Sequence, residues 1–140
     1  MPKKILPANY KPSDDEPFMN PKQQEYFRQK LLKWRADLLR ESAETLNNLQ
    51  AEPLDDSDMV DRAVHEADMA RELRTRDRER KLITKIDAAL QRIEDGTYGY
   101  CEETNEPIGV KRLEARPIAT LSLEAQERHE RLEKTKRDND

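Results

Sequence analysis

The sequence predicts a mainly α-helical chain: a long antiparallel two-helix coiled-coil hairpin, a small zinc-finger-like module and a C-terminal helix. Three observations predict it. Two stretches of similar length carry apolar residues at steps of three and four, the seam of a coiled coil. Charged residues make up 40% of the 140 positions and aromatics only 5%, which suits solvated helix better than a compact core. Downstream, Cys101-x2-Thr104-x17-Ser122-x2-Ala125 keeps the spacing of a four-cysteine zinc knuckle with three thiols replaced.

Residues 1–19 form an irregular segment packing on the globular part. Pro2, Pro7, Pro12 and Pro17 each lack an N–H and bias the preceding residue away from helix. A first helix starts at Asn20-Pro21, a capping residue before proline at the first helical position, and ends before Pro53. Its seam is Phe27, Leu31, Trp34, Leu38, Thr45 and Leu49. A second helix starts near Ser57 or Asp58 and stops at Asp95-Gly96. Its seam reads Met69, Leu73, Ile83, Ile86, Leu90 and Ile93, interrupted by Arg76 and Arg80. The hairpin thus spans 20–95, with its tip near 51–61.

Residues 96–121 read as a degenerate zinc-finger-like module of turns and short extended pieces, with Tyr98, Tyr100, Ile108, Val110, Leu113, Ile118 and Leu121 as its core. A last helix fills 122–140, docked by Leu121, Leu123, Ala125 and Leu132. Cys101 is the one thiol, so structural zinc is not expected. Two readings of it stand: a buried small hydrophobe, or a redox-sensitive thiol, which needs exposure and a lowered pKa.

Charge is distributed unevenly. Glu52, Asp55, Asp56, Asp58 and Asp61 crowd the tip with no base among them. Asp58 and Asp61 suit the first turn of a helix as cap and dipole partner, but five acids in ten residues repel one another. Arg71, Arg74, Arg78, Lys81 and Lys85 share one helical face, turned away from the partner helix. The net charge of −4 and the lack of a base-reading helix argue against direct DNA binding. A single cysteine excludes an internal disulfide and fits a reducing compartment. No apolar run reaches membrane-spanning length. No nucleophile–base pair, phosphate-cradling glycine loop or intact metal cluster is present, so an enzyme is not expected.

Asp58-Met59-Val60-Asp61-Arg62-Ala63 at the tip, the run from Arg71 to Ile86, and Arg112-Leu113-x-Ala115-x-Pro117 inside the cysteine-spaced frame occur in one order. Together they resemble the DksA/TraR family of bacterial transcription factors, in a cysteine-depleted, zinc-independent form. The resemblance covers roughly residues 20–126. It implies a cytoplasmic, monomeric regulator that enters the secondary channel of RNA polymerase and alters promoter complexes without chemistry of its own. It implies Asp58 and Asp61 as tip effectors supported by Ala63, and Arg74 and Arg78 as polymerase contacts. Lys85, Arg116 and Leu82 would hold guanosine tetraphosphate (ppGpp), the co-regulator of the stringent response. Gln126 stands where family members have a lysine, which implies a weaker ppGpp response. A Gre-like transcript-cleavage factor and a coiled-coil adaptor outside transcription are the alternatives.

Overall fold

A computed structural model describes residues 6–51 and 58–139. Its order is α1 (Pro21–Ala51), α2 (Met59–Asp95), α3 (Val110–Ala115) and α4 (Leu123–Asn139), with no strand among the described residues beyond an isolated Tyr100–Pro107 bridge. The chain divides into two compact units. One, here the terminal unit, joins Met1–Leu31 to Ala88–Asp140; the other, the hairpin unit, is Leu32–Asp87.

The expected helix boundaries hold for local reasons. The Asn20 side-chain oxygen accepts the Gln23 N–H at 2.8 Å, capping α1 with Pro21 at its first position. Asp58 caps α2 by accepting the Val60 N–H at 3.0 Å. At the other end of α2, Gly96 takes φ +80°. Its N–H reaches Ile93 O and the Thr97 N–H reaches Arg92 O, the paired bonds of a Schellman stop. Ser122 caps α4 through its hydroxyl oxygen, which accepts the Ala125 N–H.

In the hairpin unit α1 and α2 pack side by side, fastened at Arg35–Asp87 (2.7 Å). Leu38 and Ile86 are buried here. The α2 seam differs from expectation. Leu73 is 46% exposed, whereas Glu79 is buried. Stepping by four and three, His65, Met69, Glu72, Arg76, Glu79, Ile83 and Ile86 are each covered or half-covered. Selecting apolar residues therefore shifted the seam by one position, to Leu73 and Arg80, where the strict heptad keeps Glu72 and Glu79. The cost is visible: Arg76 Nε and Glu79 Oε2 are buried without hydrogen-bond partners among the described residues. The side chain of Leu49 lies outside the described set.

In the terminal unit Phe27, Leu31, Ala89, Ile93, Tyr98, Val110 and Leu113 form the core. Phe27 lies 5.7 Å from Tyr98, centroid to centroid. Of the module core expected from sequence, Tyr98, Val110 and Leu113 are buried, while Tyr100 is exposed and Ile108, Ile118 and Leu121 are half-covered. The module also contains α3, not the turns and extended pieces alone. In α4 Ala125 is fully buried, while Leu123 and Leu132 stay 58% and 62% exposed.

The segment before α1 supplies much of this unit. Met19 is buried, with Phe18 edge-on to Tyr100 at 5.5 Å. Gly99 lies beneath them at φ +91°, and a Cβ there would sit 3.1 Å from Met19 Cγ and 3.2 Å from Phe18 Cζ. Glu16 accepts from Tyr10 (2.6 Å), Asn20 and fully buried Gln23. Those bonds hold the Glu16 carboxyl below the ordinary carboxylate range. Burial and the Glu16 charge push Tyr10 up to about 12.

Candidate functional site

The cysteine-spaced frame forms a small hydrogen-bonded knuckle. Cys101 N donates to Glu106 O, Asn105 N to Cys101 O, Glu102 N to Thr120 O and Ile108 N to Gly99 O. Three residues of the motif within the frame brace it. Arg112 Nε donates to Leu121 O at 2.9 Å, Leu113 is fully buried, and the Pro117 carbonyl accepts the Tyr98 hydroxyl at 2.8 Å. Lys30 of α1 fastens α3 by donating to Glu114 Oε2 (2.8 Å) and to its carbonyl (3.1 Å). Despite burial, that pairing lowers the Glu114 pKa. Glu103, on the knuckle loop, pairs with His129 of α4.

Cys101 is 1% exposed. Burial pushes its thiol up. The Thr104 hydroxyl and the backbone N–H groups of Ser122, Thr104 and Glu103 outweigh that and bring it down to about 6. The thiol is covered, as the first reading expects, and its hydrogen-bond donors lower its pKa, as the second requires. Its lack of exposure sets it apart from an accessible nucleophile.

These positions do not fit tetrahedral zinc. Cys101 contributes one thiolate. Thr104 is a neutral hydroxyl engaged with the Glu106 N–H, Ser122 is a second hydroxyl committed to capping α4, and Ala125 has no donor atom on its buried side chain. Among the described residues no group of three or more His, Cys, Asp or Glu side chains could hold a metal. The sequence could have revealed the Thr104 role, since it lies three residues from Cys101. The Glu103–His129 pair and the Lys30–Glu114 link carried no such signal.

The hairpin unit holds the other candidate residues. Asp58, Asp61 and Ala63 are exposed at the start of α2, beside exposed Met59, Val60 and Val64. Glu52, Asp55 and Asp56 lie outside the described residues. Arg71, Arg74, Arg78, Lys81 and Lys85 are all exposed. Arg74, Asp77, Arg78 and Lys81 line one shallow groove on the helix. Thr75 bonds Arg71 O and takes a long contact from Arg78 Nη2 at 3.4 Å. Leu82 is half-covered one turn before Lys85. Arg116 belongs to the terminal unit, exposed beside buried Pro117, and lines a cleft with Lys111, Ala115 and Leu123. Gln126 is half-covered and donates to Glu130. No helix among the described residues is long and apolar enough to cross a membrane.

A charged two-helix hairpin followed by a small finger-like module, with Cys101 the one thiol in its frame, is the architecture of a family of bacterial proteins. Residues 23–93 match the family described as DnaK suppressor protein DksA, N-terminal domain, and residues 96–131 match the prokaryotic dksA/traR C4-type zinc finger. A protein of Caulobacter vibrioides named RNA polymerase-binding transcription factor DksA is 64% identical over 94% of this chain and 93% of its own length. The Escherichia coli K12 protein of the same name is 43% identical over 86% of this chain and 78% of its own. The solved structure of transcription factor DksA2 from Pseudomonas aeruginosa matches with a TM-score of 0.78 at 42% identity, over 84% of this chain and 90% of that one. The chain belongs to the DksA/TraR family.

Proposed function

We propose that this chain is a transcription regulator that binds RNA polymerase, enters its secondary channel and presents Asp58 and Asp61 near the active centre. The observation that carries this reading is the near-full-length identity to relatives named RNA polymerase-binding transcription factors, together with tip acids, basic stripe and knuckle in family order. Arg74 and Arg78 dock on an acidic rim, and Ala63 supports the presentation of the tip. Long-range attraction by this stripe speeds association and weakens with salt. ppGpp is the co-regulator, held by Lys85, Arg116 and Leu82; the guanidinium fork and the lysine ammonium are the chemistry its phosphates need. Gln126 in place of a lysine lowers that response.

The module works without zinc. The donor set supports this, since hydrogen bonds to the Cys101 thiolate and the packing of Met19, Tyr98 and Leu113 occupy the roles a metal would fill. The protein acts as a cytoplasmic monomer, binds no DNA directly and catalyses nothing. Hairpin, module and last helix act as the separate parts 20–95, 96–121 and 122–140, with the segment 1–19 packed on the module; residues 1–5, 52–57 and 140 of these parts lie outside the described residues.

In vitro transcription from a ribosomal RNA promoter tests the reading, with and without ppGpp and a zinc chelator. Inhibition that ppGpp enhances and the chelator leaves unchanged is expected. Asp61→Asn should keep polymerase binding and lose regulation; loss of binding would make the tip an anchor only. Cleavage of a backtracked transcript would instead favour the Gre-like alternative.

A further inference from the structure

The outer face of α1 carries an apolar stripe that the hairpin seam does not use. Leu32, Ala36, Leu39, Ala43 and Leu46 follow one another at steps of four and three, within about 40° of a single line on the helix. The buried seam residue Leu38 lies about 120° away around the same helix. Leu32 and Leu39 are 39% and 45% exposed, Ala36 and Ala43 are exposed, and Leu46 is half-covered. Alternation of leucine and alanine makes ridges with holes between them, the surface into which large side chains of a facing helix insert.

The flanks of the stripe select the partner. In heptad terms Lys33 and Arg40 fall at e positions and Arg35 at g, the places that set pairing partners. Asp37 and Glu44 fall at b positions, further round the helix. Arg35 is held by Asp87 and Arg40 by an exposed i,i+3 contact to Asp37, while Lys33 makes no ion pair among the described residues. Pairing two copies through this stripe would set Lys33 and Arg40 against cations. The stripe is also about 21 Å long, too short to hold a dimer by itself. A helix with acidic flanks satisfies Lys33 and Arg40 and fills the alanine holes, and so short a contact suffices once the chain is held by a second site.

We propose that the Leu32–Leu46 face of α1 docks an acidic amphipathic helix on the surface of RNA polymerase, which makes a second contact surface on the helix opposite the basic stripe. This rests on polymerase binding as read above. A photo-cross-linking amino acid is placed at Ala36, at Ala43 and, as reference, at Asp77 within the basic stripe, in the full chain mixed with purified polymerase. Cross-links from Ala36 and Ala43 to an acidic helical segment of polymerase are expected. The double variant Lys33→Glu, Arg40→Glu should bind polymerase at least five-fold more weakly with unchanged helical circular dichroism, and Lys33→Arg, Arg40→Lys should bind as wild type. Cross-links from Asp77 but none from α1 would overturn the proposal and leave polymerase binding standing. Links from α1 to a second copy of this chain, or to a non-acidic surface, would also overturn it. Silence at all three positions would remove polymerase binding and this proposal together.

Discussion

A thiolate wrapped in N–H donors makes stability depend on pH in a direction opposite to that of a buried neutral cysteine. Cys101 has an ordinary thiol pKa of 9.0 when unfolded and about 6 when folded. A group whose folded pKa is depressed contributes stability that is fully present above the unfolded value and is lost as pH falls through the folded one. The window is therefore pH 9 down to 6. Within it one proton separates the two states, so the slope cannot exceed about 1.4 kcal/mol per pH unit. Cys101→Ser removes the ionisation and keeps a small polar side chain. Urea unfolding of both proteins across this range, with a reductant and a chelator present, gives the difference directly, because every other titrating group is common to both. The wild type should gain on the variant steadily from pH 6 to 9, and the thiolate absorbance of the folded protein should titrate near 6. A difference that stays flat, or a thiol that titrates near 9, would refute the hydrogen-bonded anion and return Cys101 to the role of apolar filler.

Other outcomes follow from the same geometry. Restoring the thiols with Thr104→Cys, Ser122→Cys and Ala125→Cys should create a tetrahedral site, read as a cobalt–thiolate absorption band on titration with Co2+, where the wild type shows none. Leu113→Ala empties a fully buried position at the centre of the knuckle and should cost about 2–5 kcal/mol in chemical unfolding. Glu79→Leu replaces a buried carboxylate with an unpartnered oxygen by an apolar seam residue and should raise stability by about 1–3 kcal/mol; a loss would mean that Glu79 is satisfied in solution.

The long helices were legible because their signals are local. Asn20-Pro21, Asp58 and Gly96 each act within one turn of their own position, and the structure keeps all three boundaries. The seam of α2 was legible only in part. Apolar residues mark a seam where burial is strong, but in the hairpin unit the heptad runs through Glu72, Arg76 and Glu79, and no hydropathy rule selects those. α3 has six residues and no side-chain cap hydrogen bond, so it left almost no local trace. Leu132 continues the docking face of Ala125 on paper, yet the module ends before it. Least legible was the segment before α1. Its grip on Gly99 and Tyr100 joins residues some eighty positions apart, and its polar lock depends on Gln23, a residue type usually exposed. For the candidate site, sequence located the cysteine frame, and the charged residues at the start of α2 and along its stripe are exposed where expected. The backbone N–H donors to Cys101 from Ser122, Thr104 and Glu103 emerged only with the fold.

The terminal unit is assembled from two stretches far apart in the chain, Met1–Leu31 and Ala88–Asp140. A ribosome releases the first piece long before the second exists. Phe27 must therefore wait, without Tyr98 or Leu113, until the chain has been made as far as residue 113. Growing chains of this protein should pass through a stage in which α1 has emerged but its aromatic end is uncovered, and a truncation anywhere between residues 88 and 113 should leave that surface to chaperones.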